Sequence, residues 1–322
     1  MIEVIKPGLE TSVQDYPGRI GFWAQGFPPS GPMDNWSFRL ANLLVGNSTD
    51  AAGLECQLVG PTLKFQAATV VAICGADMKP TLDGMPVRMW ESIAVDADQT
   101  LALGFATLGA RAYIAVSGGI DTPRLLGSRS TFNKAGVGGM EGHALKAGQD
   151  IPVGIRKGTV GRKVKPEARP TFATDKVWVV EVVRGPNDDW IDEAGHQRFL
   201  SSDWKLSSKS DRTGFRLEGP RWTFTSKATN KAPEHGSEPS NIIDQGYPVG
   251  AINLAGQTPI ILVNDGPSMG GFVNPYTVPS AAFWKLGQAK PGEILRFRSV
   301  SVEDAQELRR RIDGICGESS IN

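Results

Sequence analysis

The sequence predicts a mainly β protein with two barrel-like subdomains and a few short helices. Short apolar runs recur at strand-like intervals and are separated by Gly, Asp and Pro. The chain contains 38 glycines and 22 prolines, a composition that favours many turns over a helical bundle. At 322 residues it is also longer than a usual single domain. We therefore expect compact barrels or sandwiches, in two subdomains.

Charge and cysteine content exclude several functional classes. The 34 basic and 34 acidic residues balance, so we expect neither nucleic acid nor a membrane surface as a partner. The three cysteines form no CxxC pair and predict buried reduced thiols: Cys56, Cys74 and Cys316. The start of the chain has no secretory pattern, and no apolar run is long enough to span a bilayer. A cytoplasmic location is the expectation.

The first half of the chain reads mainly as strands around one helix. Ile2–Ile5 predicts a strand, and the Gly- and Pro-rich run Gly8–Asp34 cannot be a helix. Asp34 predicts the N-cap of a helix that ends near Gly46. From Leu54 onward the pattern is that of successive strands. These features define a first subdomain, for which we predict the bounds 1–165.

The second half begins after a connector that is basic and contains proline. This connector, Lys157–Pro170, has no apolar periodicity and predicts a linker, so we place the second subdomain at 166–322. A capping pattern at Ser301 and Asp304 predicts the start of the last helix. The other predicted elements are strand Val177–Arg184, helix Asn187–Leu200, exposed loop Thr225–Ser240, strand Ile294–Phe297 and helix Val302–Ile312.

Polar groups are concentrated in the stretch from Gly250 to Gln288. Two short strands are predicted there, Ala251–Leu254 and Ile260–Val263, and a Gly-rich loop follows the second. Since paired strands bring their ends together, we predict that Asn253, Asn264 and Asp265 converge with the loop backbone at one end of a barrel. Glycines in such a loop let a ligand approach main-chain N–H groups, because no Cβ intervenes.

Each of these features also has a purely structural interpretation. The loop glycines can merely relieve strain, and Asn253 and Gln257 can merely satisfy turn backbone. The run Gly127–Thr131 suits either an anion-binding nest or a plain surface loop. The three histidines lack metal-ligand spacing. The sequence also has no G-x-S-x-G elbow, no Ser/Lys amidase pattern and no phosphate-binding Gly loop, so a hydrolase with its own covalent nucleophile, a metal site and a nucleotide site are not predicted.

Several separate motifs resemble one family. They are SVQDYPGR (Ser12–Arg19), SGPMD (Ser30–Asp34), ANLLVGN (Ala41–Asn47), GGID, LGSRST, DRTGFRL, and the D-x-x-x-x-GG-F loop from Asp265 to Phe272. In this order they resemble the biotin-dependent carboxyltransferase A/B-subdomain family. Its members are also called allophanate hydrolase subunit 2, KipA-like protein and the C component of 5-oxoprolinase. Within that family, the segment NDGPSMGGF (Asn264–Phe272) resembles the carboxyltransferase region of urea carboxylase more than the 5-oxoprolinase branch.

The resemblance implies two cyclophilin-like barrels and the A/B half of a carboxyltransferase. Such a half moves a carboxyl group from carboxybiotin to urea or a related small amide. It implies three partners: a C/D-type (KipI-like, subunit 1) protein, a biotin carboxylase and a biotin carrier protein. Biotin is thus the expected cofactor, delivered by a separate carrier, and the chain is expected to be inactive without its partner subunit.

Carboxyl transfer requires that the ureido oxygen is polarised, that the acceptor nitrogen is oriented and that its proton is removed. Amide side chains, backbone N–H groups and one carboxylate would suffice for this. We predict as catalytic residues Asn253, Asn264 and Asp265. We predict as substrate-binding residues Gln257, Ser268, Gly270, Gly271, Gln14 and Asp15.

Two other functions fit the same motifs. One is the C component of an ATP-dependent 5-oxoprolinase, whose pocket would hold a cyclic amide. The other is a non-catalytic, KipA-like regulatory protein that binds a kinase. A neighbouring biotin carboxylase gene favours the carboxyltransferase, and a LamB/YcsF-type gene favours the 5-oxoprolinase.

Overall fold

The computed structural model describes residues 1–155 and 158–322, which form two compact units. Unit 1 comprises Met1–Phe22, Pro29–Phe172 and Arg311–Asn322. Unit 2 comprises Trp23–Pro28 and Ala173–Arg310. Lys157, the first residue of the predicted linker, lies outside the described residues. The subdomain bounds 1–165 and 166–322 remain a prediction.

Unit 1 consists of two antiparallel sheets that enclose an apolar core. Its strands are β1 (Ile2–Lys6), β2 (Glu10–Gln14), β3 (Gly53–Gln57), β4 (Thr62–Phe65), β5 (Thr69–Asp77), β6 (Thr81–Leu82), β7 (Met85–Pro86), β8 (Ser92–Val95), β9 (Thr100–Ala102), β10 (Leu108–Val116) and β11 (Asp150–Ile151). One sheet has the order β11-β1-β4-β9-β6-β7, and the other has the order β2-β3-β10-β5-β8. Alternate apolar residues of both sheets form one cluster, in which Leu63 and Phe65 of the first meet Leu54, Ile73 and Ile114 of the second.

One helix covers the other face of the five-stranded sheet. It is α1 (Asn35–Leu44), and its Phe38 and Leu44 pack in a second apolar cluster with Tyr113. Asp34 caps the helix as predicted, because its Oδ1 accepts a hydrogen bond from Ser37 N at 3.0 Å.

Unit 2 contains a closed barrel and a separate two-stranded ribbon. Its strands are β12 (Val177–Arg184), β13 (Trp204–Leu206), β14 (Gly214–Glu218), β15 (Asn241–Gly246), β16 (Ala251–Ala255), β17 (Thr258–Leu262), β18 (Met269–Phe272), β19 (Tyr276–Thr277) and β20 (Ile294–Ser299). The barrel has the order β12-β19-β16-β17-β14-β13-β20, and β15 pairs with β18 as the ribbon. Phe199, whose ring stacks on Phe297 at 4.5 Å, belongs with Trp204, Trp222 and Tyr276 to one aromatic cluster.

Four further helices lie in the second half of the chain. They are α2 (Glu193–Ser201), α3 (Ser226–Thr229), α4 (Phe283–Gln288) and α5 (Val302–Ile315). Helix α2 begins six residues after the predicted Asn187, because Asp192 caps it by accepting from Gly195 N at 2.7 Å. Helix α5 begins at the predicted residue, with Ser301 Oγ accepting from Asp304 N at 3.0 Å.

The mainly β prediction with few short helices is confirmed, and unit 2 provides the closed barrel. Strand β12 has the predicted bounds, and β20 extends the predicted one by two residues. Two local predictions are wrong. The predicted exposed loop at 225–240 contains helix α3. The end of the predicted Gly-rich loop forms strand β18, because this segment pairs with β15. Within the described residues, no helix is long and apolar enough to cross a membrane.

Candidate functional site

The two strands predicted around Asn253 are present and paired. Strand β16 runs antiparallel to β17, and Asn253 lies opposite Ile260. Ile252 pairs on its other side with Tyr276, a member of the aromatic cluster. Because successive side chains alternate across a sheet, Asn253 faces away from the side that carries Ile252. It shares its side with Ala251, which packs in a small apolar cluster that includes Tyr247.

Asn253 is a buried amide with no hydrogen-bond partner among the described residues. The residue is only 3% exposed, and no described donor reaches its Oδ1. Its side chain makes no hydrogen bond to any residue in the described part of the chain. Leaving a buried polar atom unpaired costs about 1–3 kcal/mol, so a ligand or a water that donates to this oxygen would be stabilised. The predicted structural role, in which Asn253 satisfies turn backbone, is therefore not what the structure shows.

The two loop glycines belong to the ribbon. A Cβ at Gly270 would lie 3.0 Å from Cε2 of Tyr247, and one at Gly271 would lie 3.0 Å from the carbonyl oxygen of Ile242. Tyr247 Oη also accepts from the N–H of Phe272 at 2.6 Å and donates to its carbonyl oxygen at 2.9 Å. These glycines thus allow the ribbon to pack tightly. Their prediction as ligand-binding positions remains a prediction.

Asp265 forms a buried ion pair just after β17. Arg212 Nε lies 2.9 Å from Asp265 Oδ2, and Arg212 Nη2 lies 3.4 Å from Oδ1. The two side chains are 8% and 6% exposed. The N–H of Asp265 also donates to the carbonyl oxygen of Arg212 at 2.8 Å. Arg212 belongs to the DRTGFRL motif, to which the sequence analysis assigned no role.

Asn253 lies within a paired strand, whereas Asn264 follows one. Asn264 is buried and follows β17 by two residues, whereas Asn253 pairs with Ile260 inside that strand pair. Strand β17 ends at Leu262 and the chain turns at Asn264. The predicted convergence of Asn253 with Asn264 and Asp265 at one end of the barrel remains a prediction.

Gln257 and Ser268 have backbone contacts. Gln257 Oε1 accepts from the N–H of Trp222 at 2.6 Å, which matches the structural interpretation that the sequence analysis left open. The carbonyl oxygen of Ser268 accepts from the N–H of Tyr247 at 2.7 Å, at the base of the ribbon. Their substrate-binding role remains a prediction.

Gln14 lies in unit 1 and holds the SGPMD segment. Its Oε1 accepts from the N–H of Gly31 at 3.0 Å. Its Nε2 donates to Ser12 Oγ at 3.0 Å and to the carbonyl oxygen of Thr131 at 3.3 Å. The side chain is fully buried, so these bonds replace water on both ends of the amide. Its substrate-binding role remains a prediction.

Asp15 occupies the nest that the sequence analysis noted at Gly127–Thr131. Its Oδ1 accepts from Ser128 Oγ at 2.5 Å and from Ser130 Oγ at 2.7 Å. Its Oδ2 accepts from the N–H of Arg129 at 2.6 Å. The anion that this nest binds in the structure is therefore the carboxylate of Asp15 itself. Its substrate-binding role remains a prediction.

A further buried network in unit 1 was missed by the sequence analysis. Glu55 Oε2 accepts from the N–H of Met33 at 2.8 Å and from Tyr113 Oη at 2.9 Å. Tyr113 Oη accepts in turn from the N–H of Asp34 at 2.7 Å. Burial, together with the charges of Glu55 and Asp34, raises the pKa of Tyr113 well above its usual range. Tyr113 therefore remains protonated and positions the SGPMD segment.

His196, one of the three histidines without metal-ligand spacing, is a buried, hydrogen-bonded residue. Its Nε2 lies 2.9 Å from the carbonyl oxygen of Asp188, so Nε2 carries the proton and Nδ1 accepts from Tyr276 Oη at 2.8 Å. Burial and the nearby charge of Arg184 lower the pKa of His196. Burial raises the pKa of Tyr276 to about 12. Among the described residues, no group of three His, Cys, Asp or Glu side chains is placed to hold a metal ion.

Comparison with known proteins places these features in a family. The family model for the carboxyltransferase domain, subdomain A and B, matches residues 25–299. Urea amidolyase of Lachancea kluyveri is 41% identical over 322 residues, which cover 97% of this chain and 17% of the relative. The C component of 5-oxoprolinase from Escherichia coli is 32% identical over 314 residues, which cover 96% of this chain and 94% of the relative.

Solved structures show the same relationship. The crystal structure of the K. lactis urea amidolyase superposes with a TM-score of 0.93 at 38% identity. The match covers 100% of this chain and 20% of that one. The chain thus spans only about a fifth of the urea amidolyases that it matches, but nearly the whole of the 5-oxoprolinase component.

Proposed function

We propose that this chain, which belongs to the carboxyltransferase subdomain A and B family, is the A/B half of a biotin-dependent carboxyltransferase that acts on urea or a related small amide. The observation that carries the proposal is the match to the urea amidolyase of Lachancea kluyveri along 97% of this chain. Identity to that relative is 41%, against 32% for the Escherichia coli 5-oxoprolinase component.

The chemistry of the buried amide supports this proposal. Urea and the ureido ring of biotin both present N–H donors, and Asn253 Oδ1 is a buried acceptor that no described protein group uses. The unpaired acceptor therefore fits such a group. Bound biotin, delivered by a separate carrier, would supply the carboxyl group that is transferred. In this proposal, Asn253 orients an N–H donor, and the small apolar cluster that includes Ala251 excludes water.

Asn264 and Asp265 keep their proposed catalytic roles in a modified form. The ion pair with Arg212 fixes the carboxylate of Asp265 in one orientation, which favours a role in positioning the segment after β17. We propose that Asn264, the residue before it, then presents its amide to the same small substrate. In this proposal, Gln257 and Ser268 act indirectly. Each holds main chain in place, Gln257 by accepting from the N–H of Trp222 and Ser268 by accepting from the N–H of Tyr247.

We further propose that the ribbon is covered by a C/D-type subunit and that the chain is inactive without it. Three large apolar side chains of the ribbon are exposed: Ile243 (62%), Met269 (59%) and Phe272 (38%). Clustered exposed apolar groups of this kind often mark protein–protein contacts. A biotin carboxylase and a biotin carrier protein complete the proposed assembly.

Reconstitution tests this proposal. The chain is mixed with a candidate C/D-type protein, biotin carboxylase and carrier, and loss of carboxybiotin is followed with and without urea. We expect urea-dependent turnover only when both carboxyltransferase halves are present. Failure of the two halves to bind one another, or turnover that ignores urea and related amides, would contradict it.

One observation favours a second function, that of the C component of a 5-oxoprolinase. The Escherichia coli relative of that name matches this chain almost from end to end, with 94% of its length covered. In that case the chain and its partner subunits would hydrolyse ATP in a manner dependent on 5-oxoproline. The same reconstituted mixtures, assayed for phosphate release with 5-oxoproline in place of urea, separate the two functions.

A further inference from the structure

Unit 1 contains a cavity that none of the proposed site residues lines. Its volume is about 590 Å³, which is in the usual range for small-molecule sites. The walls are mostly apolar, and the largest apolar side chains are Met89, Trp90, Leu108 and Phe172. Three prolines and Gly75 complete much of the lining. A cavity of this size and composition can bury the apolar body of a small ligand.

One wall is held in a strained backbone conformation. Trp90 has a φ of +63°, which is rare for a bulky residue and costs of order 1–3 kcal/mol. Two hydrogen bonds fix it there: the N–H of Trp90 donates to Ile73 O at 2.8 Å, and the N–H of Val164 donates to Trp90 O at 3.0 Å. The indole is nevertheless only partly buried and lines the cavity. The fold therefore maintains a strained turn that places an aromatic ring in the cavity wall.

Among the described residues that line the cavity, one positive charge has no acidic partner. Asp77 and Lys79 lie 2.5 Å apart and neutralise each other. Arg169 donates from Nε and Nη2 to the carbonyl oxygen of Val164, at 3.2 and 2.9 Å, and its guanidinium carbon lies 5.8 Å from the centre of the Trp90 ring. Its Nη1 has no hydrogen-bond partner among the residues that the structure describes. One edge of the Arg169 guanidinium is thus bonded to the protein, and N–H groups on another edge can still donate to a ligand.

We propose that this cavity binds a small monocarboxylate with an apolar body. The carboxylate accepts from the remaining N–H groups of Arg169, because a guanidinium offers two parallel donors to a planar anion. The apolar body contacts Trp90, Leu108 and Phe172. A doubly charged phosphate fits less well, since among the described lining residues only one positive charge lacks an acidic partner. The proposal does not depend on the carboxyltransferase activity.

Fluorine NMR of the full chain labelled with 5-fluorotryptophan tests the proposal, with benzoate as the probe and neutral benzamide as its isostere. Trp90→Phe assigns the Trp90 resonance. We expect benzoate to shift that resonance in a saturable manner and to bind at least about tenfold more tightly than benzamide, a difference of about 1.4 kcal/mol. Arg169→Gln should weaken benzoate by a similar factor and leave benzamide unchanged.

Two further variants distinguish a loss of ligand binding from a loss of folding. Arg124→Gln removes an exposed arginine that does not line the cavity and should leave benzoate binding unchanged. Leu108→Trp fills part of the cavity, keeps Arg169 and should abolish the shift. Equal binding of benzoate and benzamide, no shift of the Trp90 resonance up to the solubility limit, or full binding by Leu108→Trp would overturn the proposal.

Discussion

Removal of Arg212 should destabilise the barrel far more than removal of an exposed arginine from the same unit. The Arg212→Leu variant leaves Asp265, with a side chain only 6% exposed, without its counter-ion. Breaking a buried ion pair in this way typically costs about 3–5 kcal/mol, because an uncompensated charge stays buried. Arg296 pairs with Asp203 at 2.5 Å, but these side chains are 54% and 51% exposed, so Arg296→Leu is a matched control.

The assay is denaturant unfolding of each variant, followed by tryptophan fluorescence. We expect the Arg212→Leu midpoint to fall by the equivalent of about 3–5 kcal/mol, and the Arg296→Leu midpoint to stay near that of the parent. The double variant Arg212→Leu, Asp265→Leu should recover part of the loss, since it removes both charges. Similar midpoints for the two single variants would refute the argument from burial.

Three other perturbations have expected outcomes. His196 has a lowered pKa in the folded state, so its contribution to stability is complete above about pH 6.5 and is lost as the pH falls below that value. As the pH is lowered from about 8 to about 5, the free energy of unfolding should therefore decrease more in the parent than in His196→Gln. Parallel curves for the two proteins would contradict this. Asp15→Ala leaves the donors of Ser128 and its neighbours unpaired and should lower the stability of unit 1 by about 1–3 kcal/mol in thermal unfolding, whereas an unchanged midpoint would show that the nest is not needed. Gly314→Ala lies in helix α5 with no atom within 4 Å of the added Cβ, so it should stabilise by about 0.5–1 kcal/mol; a lower midpoint would contradict the open space seen there.

Local signals in the sequence predicted much of the fold. The predicted bounds of strand Val177–Arg184 match the observed ones, because its apolar run is long and flanked by turn residues. The cap at Asp34 and the start of the last helix at Val302 were predicted from single side chains next to the helices that they begin. Information of this kind lies within a few residues, so no tertiary contact is needed to interpret it.

Contacts between distant residues were not predictable in the same way. Asp265 and Arg212 are 53 residues apart, and Asp15 is 113 residues from Ser128. The sequence shows that each is polar but not that it is paired. The hydrogen bonds that the carboxylate of Asp15 accepts from the chain itself could therefore not be predicted, and its substrate-binding role remains a prediction.

The interpretation of the Gly270–Gly271 pair shows a second limit. Glycine is needed both where a ligand approaches the backbone and where two segments pack closely. The sequence cannot distinguish these cases, and only the position of the Tyr247 ring shows that Gly270 lies in a closely packed part of the ribbon. The unpaired state of Asn253 Oδ1 is likewise a tertiary property, since it depends on what surrounds β16.

The most direct test of the proposed function is the effect of Asn253→Ala on urea-dependent carboxybiotin turnover by the reconstituted complex. Asn253 makes no side-chain hydrogen bond to the described residues, so its replacement removes no hydrogen bond within them and should leave partner binding intact. The exposed Asn230, replaced by Ala, serves as the control. We predict a loss of about 10²-fold in rate for Asn253→Ala, as for other single donors or acceptors in preorganised sites, and no loss for Asn230→Ala. Full turnover by Asn253→Ala with partner binding intact would contradict the proposed site.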